Sequence, residues 1–114
     1  MKSEATDLLD QYRQLALAWD AAKARPKEAN RIFDQHHKVY KQLRETERGR
    51  TGIASLLCDS EVVVRLLAAT HSLAWAKERA ERALEELSAG NAQYSFDAKW
   101  TLRAFRDGKL DLGW

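Results

Sequence analysis

The sequence predicts an all-α fold, a single domain of about six helices, and three observations support this prediction. Apolar residues recur every three or four positions in several segments, and no segment shows the sustained alternation of a half-buried strand. Strong helix formers dominate the composition, while the 114 residues include only five Gly and one Pro. Hydrophobic residues make up 45% of the chain, which is enough to form a core.

The composition also indicates the cellular compartment and limits the classes of binding partner that we expect. The formal net charge is only +2, whereas a dedicated nucleic-acid binder usually carries a stronger basic excess. Cys58 is the only cysteine, so an internal disulfide is excluded and a reducing compartment fits best. Residues 1–5 lack the apolar run of a signal peptide, and no apolar stretch approaches the about 20 residues that span a bilayer. We therefore expect a cytoplasmic protein that does not bind membranes, and nucleic acid is a disfavoured partner.

The first 48 residues predict an antiparallel pair of helices. The first helix extends from Ser3, which can cap its N-terminus, to about Lys23. Pro26 begins the second helix, because proline at the first helical position loses no hydrogen bond. The short connection makes the two helices antiparallel neighbours. Their apolar stripes are Leu8, Leu9, Tyr12, Leu15, Ala16, Trp19 and Ala22 in the first helix, and Ile32, Phe33, His36, Val39, Tyr40 and Leu43 in the second.

The middle of the chain predicts a break, a short helix and a central helix. The segment from Gly49 to Gly52 is expected to end the second helix, because glycine disfavours a helix interior. A short helix around Leu57 follows. The next helix, about Ser60 to Trp75, is capped by the segment that starts at Asp59 and is apolar almost all round. Since a helix without a wide polar face is buried on more than one side, we expect it to lie at the centre.

Two further helices are expected in the C-terminal part. An amphipathic helix from Glu78 to Ser88 ends at Gly90, and a last helix is capped by Ser95 and ends at Gly108. The residues expected to be buried are Phe96, Ala98, Trp100, Leu102 and Phe105 in the last helix, and Trp19 and Trp75 elsewhere. Trp114 either folds back onto the domain, which we favour, or docks on another chain.

The stretch from Leu56 to Ala69 resembles a HEAT repeat. Such repeats place an Asp in the turn between paired helices and a Val-Arg in the second helix, the positions that Asp59 and Arg65 hold here. The resemblance implies that Asp59 and Arg65 form the structural pair that supports stacking of neighbouring repeats. Lys99 occupies the Arg position in a second, degenerate copy 34 residues later, which lacks the Asp.

Over nearly its whole length, the chain also resembles a family of small uncharacterised bacterial proteins, a domain of unknown function. The matching stretches are Leu56 to Trp75 and Phe96 to Leu110. Members of the family pair two N-terminal helices with a HEAT-like C-terminal half. The resemblance implies a helical hairpin over residues 1–48, HEAT-like helix pairs that form a short α-α superhelix over 49–110, and a tail over 111–114.

No residue pattern predicts a catalytic, cofactor or metal site. His36 and His71 lie on apolar faces, where a hydrogen-bonded core histidine is the usual role, and no metal-ligand spacing accompanies them. Cys58 follows two leucines and is expected to be a small buried residue rather than a nucleophile. We therefore expect no enzyme activity and no cofactor, and a small metal or enzymatic site at His36 and His71 stays as an alternative.

The sequence favours a non-enzymatic helical-repeat module that binds protein. A short stack of helix pairs leaves an open end, which a protein partner or a second copy in a homodimer would cover. Such a module could regulate or neutralise its partner. The residues expected at the binding surface are Arg50, Arg65, Lys99, Arg103 and Trp114. The other alternative is nucleic-acid binding through basic helix faces, with Lys38, Lys41, Arg44, Arg48, Arg103 and Arg106.

Overall fold

The computed structural model describes residues 4–90 and 93–114, and within them it confirms an all-α fold. The described residues contain no strand. The helices are α1 (Glu4–Ala21), α2 (Pro26–Arg44), α3 (Glu47–Ser55), α4 (Val62–Ser72), α5 (Lys77–Ala89) and α6 (Ser95–Arg106), with a short 3-10 helix (Leu56–Cys58) between α3 and α4. The predicted cap Ser3 lies outside the described residues. None of the described helices has the length and apolar character that crossing a bilayer requires.

The chain divides into two compact units, and the boundary falls near the end of α3. The first unit is Met1–Ile53 and the second is Ala54–Trp114. The single domain expected from the sequence, with its divisions at residues 48 and 110, stays a prediction.

In the first unit, α1 and α2 pack against each other through their apolar stripes. Pro26 is the first residue of α2, as predicted. Near the connection between the two helices, Ala22, Ala29 and Ile32 form a buried cluster. Trp19 packs against this cluster, and its ring lies 5.8 Å from the ring of Phe33. Because this contact covers only part of the indole, Trp19 is half-buried rather than fully buried as expected.

The connection between α2 and α3 corrects the prediction that Gly49 to Gly52 break the second helix. Helix α2 already ends at Arg44, and both glycines lie inside α3. Thr46 starts α3, because its Oγ1 accepts a hydrogen bond from the Gly49 N–H at 2.9 Å. The Arg50 guanidinium donates to the main-chain carbonyl of Arg44 at 2.7 Å and so binds the end of α2. Threonine capping thus outweighs the low helix propensity of glycine.

Gly49 is needed for a close approach rather than for a turn. A Cβ at this position would overlap the carbonyl oxygen of Leu43 and lie 2.6 Å from its carbonyl carbon. Leu43 is almost completely buried, so its backbone has little room to move. At Gly52, in contrast, a Cβ would lie 3.2 Å from a methyl group of Leu9, the end of a flexible side chain.

In the second unit, α5 packs against α4, α6 and the 3-10 helix. Helix α4 is shorter than the predicted Ser60 to Trp75, but it is apolar almost all round, and most of its residues are buried, as expected. These buried residues are Val63, Val64, Leu66, Leu67, Ala68, Ala69 and Ser72. Ser72 satisfies its buried hydroxyl by donating to the carbonyl of Ala68 at 2.7 Å.

Helix α6 begins and ends at unusual backbone conformations. Tyr94, buried and with a φ of 74°, takes the position before the helix, so Ser95 is the first helical residue rather than the predicted cap. At the other end, Gly108 has a φ of 71° and donates to the carbonyl of Phe105. Lys109 N–H donates to the carbonyl of Ala104 at 2.8 Å. This pair of bonds is a Schellman motif, which ends α6 where the glycine predicted.

Substitution of the two glycines of α3 tests the close approach. Gly49→Ala is expected to lower the free energy of unfolding by about 2 kcal/mol, because backbone atoms of Leu43 must shift. Gly52→Ala is the matched control, since it receives the same gain in helix propensity of about 1 kcal/mol and meets only a flexible side chain. Urea unfolding of both variants measures the difference. Equal stabilities of the two variants would show that Gly49 has no special steric role.

Candidate functional site

The most unusual surface of the described residues is one side of α6. Phe96, Trp100, Arg103 and Asp107 recur at spacings of four, three and four, so they share one face at the helical period. We call these four residues the outer stripe. Phe96 is 75% exposed and Trp100 is 62% exposed. An isolated exposed apolar residue is ordinary, but two large aromatic side chains one turn apart form a patch that commonly marks a binding surface.

The opposite side of α6 holds the helix in place. Ala98 and Leu102 are buried on this side, where α6 packs against α5. The Arg106 guanidinium contacts the Glu85 carboxylate at 2.7 Å and the Glu81 carboxylate at 3.5 Å. These contacts link the last turn of α6 to α5, and they agree with the rotation of α6 that the apolar contact sets and that exposes the outer stripe.

The exposure of Phe96 and Trp100 contradicts the prediction that both are buried. Apolar residues occupy two sides of α6, and α5 covers the side that carries Ala98 and Leu102. Small side chains such as Ala98 allow two helices to approach closely, whereas bulky aromatic rings on that side would hold them apart. The packing therefore selects the side with the smaller residues, and it leaves the aromatic side in solvent.

A surface pocket of about 210 Å³ adjoins the outer stripe. It is lined by Trp100, Arg103, Ala104, Asp107 and Lys109. The Schellman motif at Gly108 turns the chain back so that Lys109 lies beside this pocket. An indole wall, two cationic groups and one carboxylate give the pocket both apolar and charged binding groups, at a size that accommodates one side chain.

The structure brings together only some of the predicted binding residues. Lys99 and Arg103 are exposed on α6. Trp114 lies at the chain end and is 54% exposed, so it is not folded into the core. Arg65 lies on α4 in the same unit, whereas Arg50 lies on α3 in the first unit and donates to the Arg44 carbonyl.

Asp59 and Arg65, the pair that the HEAT resemblance implies, organise the entry to α4. The Asp59 carboxylate accepts a hydrogen bond from the Glu61 N–H at 2.9 Å. The Arg65 guanidinium donates to the main-chain carbonyl of Asp59 at 2.8 Å and to that of Ser60 at 3.4 Å. The pair therefore holds the turn that precedes α4. Its role in stacking of repeats stays a prediction.

Cys58 is exposed, which corrects the prediction of a buried cysteine. It is the last residue of the 3-10 helix, where successive side chains point about 120° apart, and Leu57 is the residue that turns inward. Cys58 borders a surface groove of about 340 Å³ along α5. The other lining residues are Leu57, Asp59, Arg65, Ala83, Glu86 and Leu87.

The two histidines of the metal alternative lie in different units. His36 on α2 is 1% exposed, and its ring lies 4.1 Å from the ring of Tyr12. Burial, followed by the charge of His37, lowers the pKa of His36 to about 4, while a hydrogen bond with the Tyr12 main chain acts in the opposite direction. His71 on α4 is half-buried. Among the described residues, no group of three or more His, Cys, Asp or Glu side chains could hold a metal ion.

Burial also perturbs the partner of His36. Tyr12 is completely buried, and desolvation, with a smaller contribution from Tyr40, raises the pKa of its hydroxyl well above the usual 10. Both rings of this tilted pair are therefore neutral at physiological pH. The pair forms a polar part of the core of the first unit.

Phe96, Trp100 and Lys109 are residues of the candidate site that the sequence did not predict at the surface. For the two aromatic residues the sequence contained one signal. Apolar residues cover more than one face of α6, and a helix with few neighbours cannot bury all of these faces. Lys109 had no comparable signal, because its position depends on the conformation of Gly108.

Comparison with known proteins supports the fold. Residues 6–106 match a family described as "Domain of unknown function (DUF2019)". The crystal structure of protein RPA1889 from Rhodopseudomonas palustris CGA009 superposes with a TM-score of 0.88 at 24% sequence identity, over 96% of this chain and 94% of that one. At this identity the likeness shows the fold alone. No curated protein sequence matches the chain.

The buried His36 predicts a specific pH dependence of stability. The folded state keeps His36 neutral to about pH 4, whereas in the unfolded chain it binds a proton below pH 6.5. Between these values the unfolded state binds more protons, so stability falls as the pH decreases. Between pH 7 and pH 4, wild type should lose roughly 3 kcal/mol more than His36→Gln, as measured by urea unfolding. Carboxylate titration is common to both proteins and cancels, so parallel pH profiles would contradict a neutral buried His36.

Proposed function

The chain belongs to the DUF2019 family, and we propose that it is a non-enzymatic helical-repeat module that binds a protein partner through the outer stripe of α6. The observation that carries this proposal is the exposure of Phe96 and Trp100, at 75% and 62%, one helical turn apart. Tryptophan and arginine are the residues that most often dominate binding energy at protein interfaces, and the outer stripe presents both. The module can regulate or neutralise its partner by covering a surface that the partner uses.

The chemistry of the outer stripe favours binding over catalysis. Aromatic rings bury apolar area, and Arg103 and Lys109 offer charged hydrogen-bond donors around the pocket. Asp107 is the only carboxylate of the stripe and pocket, and it shares the pocket lining with the cations Arg103 and Lys109. This arrangement supports recognition rather than a proton-transfer or nucleophilic role.

The packing order of the helices in the second unit supports a helical repeat. Helices α4, α5 and α6 follow one another in sequence, and each packs against the next, as in stacked helix pairs. Arg65 binds the carbonyls of the turn before α4, which suits the position that the HEAT resemblance gives to Asp59 and Arg65. In this arrangement α6 packs against α5 with one side, and the outer stripe lies on the other side.

Nucleic-acid binding is the second candidate, because aromatic rings next to cations also suit stacking of bases and contact with phosphate. Three observations favour a protein instead. Asp107 carries a negative charge within the outer stripe, and Arg106 is already paired with Glu81 and Glu85. Arg44, another residue of the predicted basic face, lies over the Tyr40 ring at 5.0 Å.

Site-specific photocrosslinking in the native host tests the proposed function. A photoreactive benzoylphenylalanine placed at position 96 should give a discrete adduct with one protein. The same group placed at position 78, on exposed Glu78 of α5, is the matched control and should not give this adduct. Adducts with nucleic acid, or identical adducts from both positions, would contradict protein docking on the outer stripe.

Truncation of the central indole should separate binding from stability. Trp100→Ala is expected to weaken the crosslinked complex at least roughly thirtyfold, corresponding to a hot-spot contribution of about 2 kcal/mol. Its free energy of unfolding should change by less than about 0.5 kcal/mol, because the ring is mostly exposed. Lys27→Ala, a truncation at an exposed position of α2, is the control and should leave the complex unchanged. An undiminished complex with Trp100→Ala would rule out the outer stripe as the docking surface.

A further inference from the structure

We propose that the element that docks on the outer stripe is an acidic amphipathic helix of a different protein, and not a second copy of this chain. This inference rests on the proposed function and adds the chemistry of the partner. Its evidence is the distribution of charge around Phe96 and Trp100.

The positive charges of α6 lie along one edge of the outer stripe. Lys99, Arg103 and Arg106 recur at spacings of four and three, and they form this basic edge. Arg106 is paired with glutamates of α5, whereas Lys99 and Arg103 form no ion pair within the described part of the chain. Two unneutralised cations thus border the aromatic patch. A partner with carboxylates at the matching positions would pair with them.

Symmetry makes a second copy a poor occupant of this surface. When two identical helices pack antiparallel about a two-fold axis, the same edge of each helix meets, so with the aromatic patch at the centre Lys99 of one copy lies near Arg103 of the other. When they pack parallel, each residue of the stripe meets itself, so Arg103 faces Arg103 and Asp107 faces Asp107. Both arrangements bring like charges together at an interface, which costs binding energy. The stripe is therefore not self-complementary.

The pocket beside Trp100 indicates which side chains of a partner helix would be recognised. Arg103 and Lys109 supply two cationic donors against the single carboxylate of Asp107, so the pocket favours an anionic side chain. On a partner helix, residues three or four apart lie about 5–6 Å from each other. An apolar residue over Trp100 would then place a glutamate of the next turn at the pocket. Docking of an amphipathic helix by its apolar face is a common mode of peptide recognition.

Two synthetic helical peptides test the partner chemistry. Both carry the same leucine stripe, and their flanking residues are glutamates in one and lysines in the other. The protein is labelled with 15N-tryptophan, and its Trp100 indole signal is assigned with Trp100→Phe. We expect the glutamate peptide to shift this signal, with an affinity that falls as salt increases. The lysine peptide should leave it unchanged.

Charge reversal provides the matched comparison. Lys99→Glu combined with Arg103→Glu should weaken binding of the glutamate peptide at least roughly tenfold. Lys27→Glu combined with Arg31→Glu makes the same change in net charge at two exposed positions of α2 and should have no effect. Circular dichroism melting of each variant verifies its fold.

Four outcomes would overturn the inference. Three of them concern the Trp100 indole signal: no shift with the glutamate peptide at about 1 mM, equal shifts with both peptides, or a larger shift with an oligo-dT probe than with the glutamate peptide. The fourth is a dimer, detected by light scattering, that Trp100→Ala dissociates. The proposed function and the acidic partner can be refuted independently. If a partner crosslinks at position 96 but is insensitive to charge reversal of Lys99 and Arg103, the acidic partner is refuted and protein docking stands. If no position-specific adduct forms, docking itself is refuted.

Discussion

The packing of α5 between α4 and α6 is the constraint on which the second unit depends. Ala80 and Leu84 of α5 are completely buried, so this helix contributes its apolar side to the core. Its glutamates meet the guanidinium of Arg106 on α6, and Glu81 also pairs with Lys77 within α5. The apolar contact supplies most of the stabilisation, because partly exposed ion pairs contribute at most about 1 kcal/mol each. The ion pairs at the last turn of α6 are compatible with the rotation that this apolar contact sets.

That rotation determines the character of the candidate site. With Ala98 and Leu102 turned to the core, Phe96 and Trp100 must point away from it. The same rotation leaves Lys99 and Arg103 at one border of the aromatic patch. The end of the helix adds a second cation to the candidate site, because the left-handed conformation of Gly108 turns the chain back and places Lys109 at the pocket beside Trp100. Packing in the core and chemistry at the surface are thus two consequences of one helix orientation.

Much of the fold could be predicted from local signals. Pro26 begins α2 and Gly108 ends α6, because proline has a fixed φ that suits the first helical position and glycine adopts the positive φ of a helix end without strain. The helical spacing of apolar residues likewise predicted the number of helices. Local signals gave the wrong prediction at Gly49, which lies inside a helix that Thr46 caps, and where the close Leu43 backbone leaves no room for a side chain. They also failed at Cys58, whose exposure depends on the rotation of a three-residue helix.

The sequence by itself determined the all-α class, the starts and ends set by proline and glycine, the apolar character and burial of α4, and the inward position of His36. These features follow from periodicity and from the backbone preferences of proline and glycine, which act within a few residues of the chain. Only the tertiary structure decided which side of α6 is buried, and with it the exposure of Trp100. The physical reason is that α6 has apolar side chains on two sides, and the choice between them depends on the fit of α6 against α5, which residues distant in sequence provide.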